Sequence, residues 1–143
     1  MTNDDPRFVP RVLLTKSFID SHDRAIGTIA KALRDDGMEV VLIDYRVADE
    51  IAGTAIEEDV DVIGVSFMSG GQVDTTRSLV QALRDAGHEE LPVVVGGTIR
   101  PFDIPDLEAC GVKAVFRGGE TLAAVVETFR TLALGSPRQS AVD

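Results

Sequence analysis

The sequence has little of several residue types, and each shortage excludes a class of site. Cys110 is the only cysteine, so the chain can form neither an internal disulfide nor a cysteine-based metal site. Cys110 lies near a predicted helix end, and we interpret it as a small buried hydrophobe. The chain has two histidines, one tyrosine and no tryptophan. Side chains that could stack on a flavin are therefore scarce.

Positive charge is also scarce. The formal net charge is −10, which disfavours nucleic acid and anionic membranes, because phosphate groups are neutralised by clustered Lys and Arg. No apolar run reaches 18 residues, so no transmembrane helix is predicted. The acidic start, "MTNDDPRFVP", lacks the apolar stretch of a signal peptide. We expect a cytoplasmic protein that binds neither nucleic acid nor a membrane.

The residues that are abundant indicate one packed domain. The chain has 143 residues, of which 44% are hydrophobic, enough for a single core. Five near-continuous apolar runs predict strands that are buried on both faces, as in a parallel sheet covered by helices on both sides. These runs are residues 11–15, 39–43, 61–66, 92–97 and 113–117.

Helical patterns separate the five runs. Ile26, Ile29, Ala30 and Leu33 form one apolar stripe, and similar stripes occupy 51–56, 76–83 and 122–129, with a shorter helix at 103–110. The order β-α-β-α-β-α-β-α-β predicts the α/β class, with a doubly wound five-stranded parallel sheet in the flavodoxin-like (Rossmann-like) order 2-1-3-4-5. We expect a domain over 11–133 and loose tails over 1–10 and 134–143.

Ligands of such sheets bind at the carboxyl ends of the strands. Three familiar ligand sites are disfavoured there. A flavin phosphate loop would need a glycine directly after the first strand, where this chain has "TKSFIDS". A phospho-acceptor domain would need a carboxylate at the end of the third strand, where this chain has Ser66. The dinucleotide motif G-x-G-x-x-G is absent after the first strand.

The loop after the first strand, "KSFIDSHDRA", carries one of the two histidines. A neutral imidazole at His22 can bind a transition metal, and Asp20 can fix its tautomer. No other His, Cys or carboxylate cluster completes a site, so the pair suits a metal held in a macrocycle. A helix N-terminus explains the same residues: Asp20 or Ser21 would cap the helix, and Asp23 would favour its positive end.

Three separated motifs resemble the cobalamin-binding domain of adenosylcobalamin-dependent acyl-CoA mutases, the methylmalonyl-CoA mutase group. The family signature is D-x-H-x-x-G, then S-x-L, then G-G, at the ends of three strands of this fold. The corresponding segments here are Asp20-Ser21-His22-Asp23-Arg24-Ala25, Ser66-Phe67-Met68 and Gly96-Gly97. The resemblance covers about residues 11–132.

The resemblance implies adenosylcobalamin as cofactor and no catalytic residue in this chain. His22 would be the lower axial ligand of cobalt, Asp20 would orient it, and Lys16 would extend that hydrogen-bond chain. The remaining cofactor contacts would surround the displaced nucleotide tail and the loop that carries His22. By position these are Ser21, Asp23, Arg24, Ser66, Met68, Ser69, Gly70, Gly96, Gly97, Thr98, Phe116, Gly118 and Gly119.

Two segments depart from the family pattern. Phe18, Ser21 and Ala25 stand where the family usually has glycine in and around the first loop. Near the fifth strand the family often reads F-G-P-G-T, whereas this chain has Arg117 and Glu120 at the second and fifth of those positions. These residues change the stiffness of the first loop and the charge beside the expected tail pocket.

The family chemistry is a radical 1,2-rearrangement of a CoA thioester, carried out in a separate (β/α)₈ barrel. The resemblance therefore implies a small subunit that acts with a large barrel subunit. Methylmalonyl-CoA and 2-hydroxyisobutyryl-CoA are both compatible substrates. Three alternatives stay open: the small subunit of a glutamate-mutase-like amino-acid mutase, a corrinoid methyl carrier, and a non-enzymatic module that kept the fold without the cofactor.

Overall fold

The computed structural model describes residues 8–17, 24–68 and 70–135, and within them five parallel strands form a sheet. The strands are β1 (Arg11–Ser17), β2 (Glu39–Tyr45), β3 (Val62–Phe67), β4 (Val93–Gly97) and β5 (Ala114–Val115). Their order is β2-β1-β3-β4-β5, and each neighbouring pair is parallel. The predicted fold class and strand order are confirmed.

Five α-helices connect or follow these strands. They are α1 (Arg24–Asp35), α2 (Ala48–Glu57), α3 (Gln72–Asp85), α4 (Ile104–Cys110) and α5 (Leu122–Leu134), with a 3₁₀ turn at Pro101–Asp103 before α4. Gly37 and Gly87 follow α1 and α3 with φ of +93° and +81°, the left-handed conformation that commonly ends a helix. None of the helices described is both long and apolar enough to cross a bilayer.

The helices cover both faces of the sheet because alternate strand residues point to opposite sides. One core joins the odd-numbered β1 residue Leu13 to α2, α3 and α4, for example through Ile51, Leu79 and Leu107. The other core joins the even-numbered β1 residues Val12 and Leu14 to α1 and α5. The near-continuous apolar runs of the sequence reflect this burial on both faces.

The packed part of the chain is slightly longer than the sequence predicts. Phe8 and Pro10 are buried, and the Pro10 carbonyl accepts a hydrogen bond from Glu39 N at 2.8 Å. Helix α5 continues to Leu134. The fifth strand is shorter than its apolar run, because β5 is an edge strand that pairs only with β4. Cys110 ends α4 as expected, but it is half-buried, and the prediction of full burial is wrong.

Candidate functional site

Strand register brings three predicted residues into one row at the carboxyl edge of the sheet. Lys16 of β1 lies beside Ser66 of β3, and Ser66 lies beside Gly96 of β4. Residues two apart in a strand share a face, so this row continues the neighbouring row of Leu14 and Gly64. Helices α1 and α5 cover that face of the sheet.

A cavity of about 80 Å³ lies between this face and the two helices. We call it the slot. Its lining comes from β1, β3, β4, α1, α5 and the residue after β5: Leu14, Ala25, Ile26, Ile29, Gly64, Val65, Ser66, Val94, Val95, Gly96, Gly97, Phe116 and Phe129. Among these described residues Ser66 alone has a polar side chain. The slot therefore suits a largely apolar group that makes one side-chain hydrogen bond.

Three glycines allow close packing in the walls of the slot. A β-carbon at Gly64 would lie 2.7 Å from Phe129 Cζ and 2.9 Å from Leu14 Cδ2. One at Gly96 would lie 3.2 Å from the β-carbon of Phe116. Gly97 has φ of +100°, and a β-carbon there would overlap the backbone of Phe67. Glycine is therefore required at 64 and 97, and a side chain at 96 would press on one wall.

Two loops meet directly beyond Ser66 and Gly97, at the carboxyl end of the slot, which we call its mouth. Thr98 N donates a hydrogen bond to the Phe67 carbonyl at 2.7 Å, which ties the end of β4 to the end of β3. The Thr98 hydroxyl lies 3.8 Å from the sulfur of Met68 and donates to it. Met68 and Thr98, both predicted to contact the cofactor tail, are thus brought together, although neither lines the slot itself.

Lys16 is a buried cation at the end of the row. The residue is 6% exposed, and its Nζ lies 3.3 Å from Asp44 Oδ1 on β2. The strand register also pairs these two residues. The sequence analysis did not assign Asp44 to the site. Because a buried ammonium needs a partner, the Asp44 carboxylate stabilises Lys16 at the sheet edge.

The loop between β5 and α5 is shaped by Glu120. Its carboxylate accepts hydrogen bonds from Arg117 N and Gly118 N, each at 3.0 Å. The hydrogen bond from the backbone of Arg117 is the main reason that the pKa of Glu120 is lowered from its ordinary value. Thr121 then caps α5 by accepting from Ala124 N at 3.1 Å. Glu120 thus folds back on its own loop, beside the slot residue Phe116.

Several predicted contacts are not placed beside the slot. Asp20, Ser21, His22, Asp23 and Ser69, together with Phe18, lie outside the described residues. Arg24 is the exposed first residue of α1. Gly70, Gly118 and Gly119 are exposed, and a β-carbon at any of them would meet nothing within 4 Å. Cobalt ligation by His22 therefore stays a prediction, and these three glycines do not build the slot.

Only four of the thirteen slot residues, Ser66, Gly96, Gly97 and Phe116, were predicted from the sequence as site residues. Leu14, Gly64 and Phe129 define its base, but they were interpreted as core residues or not considered. One signal was available: a glycine inside an otherwise β-branched strand, as in "DVIGVS", often marks a close approach of another group. Which group approaches depends on helix packing, and here it is Phe129 of α5.

The described side chains alone do not form a metal centre. In residues 8–17, 24–68 and 70–135, no three or more His, Cys, Asp or Glu side chains are grouped so that they could hold a metal ion. A metal at this edge would therefore take most of its ligands from another molecule or from residues outside those ranges.

Comparisons with known proteins point to one family. Residues 10–126 match the B12 binding domain. The chain is 37% identical over 123 residues to the 2-hydroxyisobutanoyl-CoA mutase small subunit of Aquincola tertiaricarbonis. These aligned residues cover 85% of this chain and 90% of that subunit. It is 38% identical to the pivalyl-CoA mutase small subunit of Xanthobacter autotrophicus, covering 85% and 82%.

A third relative is much longer than this chain. The chain is 36% identical to the probable methylmalonyl-CoA mutase large subunit of Mycobacterium bovis, and it spans 17% of that protein's length. Among solved structures, a cobalamin-binding protein from Desulfitobacterium hafniense has a TM-score of 0.71 at 21% identity, over 87% of this chain and 59% of that one. A signal receiver domain from Vibrio parahaemolyticus also has a TM-score of 0.71, at 11% identity. These structures share the fold.

Fold and slot together define a doubly wound α/β domain with a slot at the carboxyl edge of its sheet. The chain belongs to the B12-binding domain family, since the family model covers residues 10–126 of its 143. The family predicted from the sequence, with an adenosylcobalamin-type cofactor, is confirmed by these matches.

Proposed function

We propose that the chain is the cobalamin-binding small subunit of a heteromeric, adenosylcobalamin-dependent acyl-CoA mutase. The observation that carries this proposal is the slot at the carboxyl edge, bordered by the row of Lys16, Ser66 and Gly96. Further support comes from the relatives that match this chain over nearly their whole length. Both are small subunits of acyl-CoA mutases, with 90% and 82% of their length covered.

The lining of the slot fits the nucleotide tail of a cobalamin. A heterocyclic base is flat and largely apolar, which agrees with the walls supplied by Ile26, Ile29 and Phe116. Ser66 would offer one hydrogen bond to the tail, and Gly96 and Gly97 would let it approach the backbone. When bound, adenosylcobalamin supplies a cobalt–carbon bond whose homolysis starts the rearrangement.

The residues near the end of β1 would hold the lower face of the cofactor. In this proposal His22 would bind cobalt through a neutral imidazole, and Asp20 would fix the tautomer of that imidazole through its other ring nitrogen. Lys16 would stabilise the Asp20 carboxylate. Support for Lys16 comes from its burial at the sheet edge, where its ammonium already has Asp44 at 3.3 Å. An ammonium has three N–H donors, so it would donate to the Asp20 carboxylate as well as to Asp44.

Substrate binding would belong to a large (β/α)₈-barrel subunit that covers the carboxyl edge. The longer Mycobacterium relative carries the matching segment within one chain, whereas the two small subunits are named as separate subunits. The names of these relatives refer to methylmalonyl-CoA, 2-hydroxyisobutanoyl-CoA and pivalyl-CoA. We infer a short branched acyl-CoA as substrate, selected by the large subunit.

The experiment is a cobalamin-binding assay on the purified chain, alone and with its copurifying large subunit. Adenosylcobalamin is titrated in, and the visible spectrum is recorded. We expect the spectrum of a base-off cobalamin, in which the cofactor's own nucleotide base has left cobalt and a histidine is bound in its place. His22→Ala should bind more weakly and lose the histidine-ligated form, because the axial nitrogen is removed.

His88→Ala is the matched control. His88 is the other histidine of the chain, is half-buried, and follows α3 at the opposite edge of the sheet. Its replacement should leave the cobalamin spectrum unchanged. If the wild-type chain binds no cobalamin even with the large subunit, the proposed function is wrong. A large subunit that converts an amino acid instead of an acyl-CoA would assign the chain to the glutamate-mutase branch.

A further inference from the structure

Asp103 is a buried carboxylate that does not cap the helix it precedes. It lies directly before α4 and is 6% exposed. An aspartate at this position usually accepts a hydrogen bond from the first turn of its helix, but Asp103 makes no such cap. Burying a carboxylate is costly unless it is paired, so its partners indicate why it is there.

The partners of Asp103 come from two different loops at the carboxyl edge. Gln72 Nε2, at the start of α3, donates to Asp103 Oδ2 at 3.3 Å across 31 residues of sequence. Arg100 Nε, in the segment after β4, donates to the same oxygen at 3.2 Å. One carboxylate oxygen therefore joins the β3–α3 loop to the β4–α4 loop.

The contact with Asp103 fixes the Gln72 side chain, although the amide oxygen of Gln72 has no hydrogen-bond partner in the described part of the chain. The residue is 2% exposed, and within the described part of the chain its Oε1 is buried without a hydrogen-bond partner. Turning the amide over would bring Oε1 against the Asp103 carboxylate, where two acceptors repel. The orientation is therefore dictated by Asp103, and an unsatisfied buried acceptor is tolerated to keep it.

Arg100 completes the arrangement on the solvent side. Its guanidinium lies 4.7 Å from the centre of the Phe102 ring, in a cation–π contact. The Arg100 side chain is 59% exposed, so the ring and the carboxylate together fix a side chain that water alone would leave mobile. The segment from Gly97 to Asp103, which includes Thr98 at the slot mouth, is thereby held at both ends.

We propose that Asp103 is a positioning residue for cobalamin binding. By joining Gln72 to Arg100 it sets the separation of the two loops that carry Met68 and Thr98, and so the width of the slot mouth. This inference rests on the proposed function. Breaking the link leaves the slot residues in place but lets the loops separate. The affinity for cobalamin should therefore fall in variants that still fold.

The test is the adenosylcobalamin affinity of the full chain with its large subunit, at a temperature where every variant is folded. Asp103→Ala should weaken binding by about tenfold, because the link from Asp103 to Gln72 disappears. Asp103→Asn should bind within about threefold of wild type, since its amide oxygen still accepts from both donors. Gln72→Leu, which breaks the link from the other side, should match Asp103→Ala.

The double variant separates positioning from simple destabilisation. If both residues act through one link, their effects should not add. The double variant, Asp103→Ala with Gln72→Leu, should then bind adenosylcobalamin no more weakly than whichever single variant has the lower affinity. Asp106→Ala is the matched control, because Asp106 is an exposed aspartate in the first turn of α4, and it should bind like wild type.

Three results would overturn this inference alone, and a fourth would overturn the proposed function as well. Wild-type affinity in Asp103→Ala, or in Gln72→Leu if Asp103→Ala does not fold, would refute it. Multiplicative losses in the double variant would also refute it, as would an equal loss in Asp106→Ala. Failure of the wild-type complex to bind adenosylcobalamin would overturn the proposed function itself, and this inference with it.

Discussion

Gly64 and Phe129 approach so closely that no side chain fits between them. A β-carbon on Gly64 would lie 2.7 Å from Phe129 Cζ. Phe129 is 2% exposed and also stacks near Phe116, with ring centroids 6.1 Å apart. The absence of a side chain at 64 is therefore what lets α5 close the base of the slot against β3.

Gly64→Ala should destabilise the protein and distort the slot. The added methyl group must displace the Phe129 ring or Leu14, and overpacking of this kind costs about 1–3 kcal/mol. Urea unfolding measures the loss, and cobalamin titration should show weaker binding because Phe129 lines the slot.

Gly53→Ala is the control for that substitution. Gly53 is an exposed residue inside α2, and a β-carbon there would meet nothing within 4 Å. Alanine favours helix over glycine by about 0.5–1 kcal/mol, so this variant should be more stable than wild type. Equal stability changes in the two variants would contradict the close contact at Gly64.

Lys16→Met should weaken cobalamin binding while leaving the chain folded. Methionine keeps most of the buried length of the side chain but removes the charge beside Asp44. If Lys16 supports the loop that carries Asp20 and His22, affinity should fall by about tenfold, the scale of one charge-assisted hydrogen bond. The measurement is the same spectral titration, made with the large subunit present.

Lys31→Met tests whether charge loss alone produces that effect. Lys31 lies on the exposed side of α1, with its Nζ 2.8 Å from Asp35 Oδ2, and its pKa is raised mainly by the hydrogen bond to Asp35. The Lys31→Met substitution removes one positive charge from the chain, as Lys16→Met does. Its affinity for cobalamin should equal that of wild type, and a loss as large as that of Lys16→Met would contradict a specific role for Lys16.

Glu120→Gln should change how stability depends on pH. The backbone N–H groups of Arg117 and Gly118 bind the ionised carboxylate and lower its pKa from the ordinary 4.5. A group whose pKa is lower in the folded state stabilises the fold above its unfolded pKa. That contribution is lost as the pH falls through the folded pKa.

The free energy of unfolding of both proteins, measured from pH 7 to pH 3, checks this. Wild type should be the more stable above pH 4.5, by a small margin since Glu120 is exposed, and the difference should shrink below it. A difference that grows on acidification would show that the carboxylate is not held by the loop.

Local patterns in the sequence predicted the elements well. The stripe of Ile26, Ala30 and Leu33 corresponds to the buried face of α1, and Gly37 and Gly87 follow their helices in the left-handed conformation. These features depend on residues within one or two turns of each other, which is why a single sequence contains them. The buried Phe8 was missed, because residues 1–10 were interpreted as a loose tail.

The site was predictable where it follows strand ends. Ser66, Gly96 and Gly97 were expected at the carboxyl edge, and they line the slot there. Gly118 and Gly119 do not line the slot but lie exposed on a loop that Glu120 folds back on itself, so their contact with the tail stays a prediction. A motif gives the order of residues along the chain and says little about how a loop turns.

The amino-acid sequence by itself determined the class of sheet, the strand order and the edge at which a ligand would bind, because apolar periodicity and chain connectivity leave few alternatives. Only the tertiary structure decided which residues face one another across that edge. The register that aligns Lys16, Ser66 and Gly96, the contact of Gly64 with Phe129, and the link from Gln72 through Asp103 to Arg100 all join residues distant in sequence. Such contacts arise from the packing of whole helices on a sheet, and no local pattern encodes them.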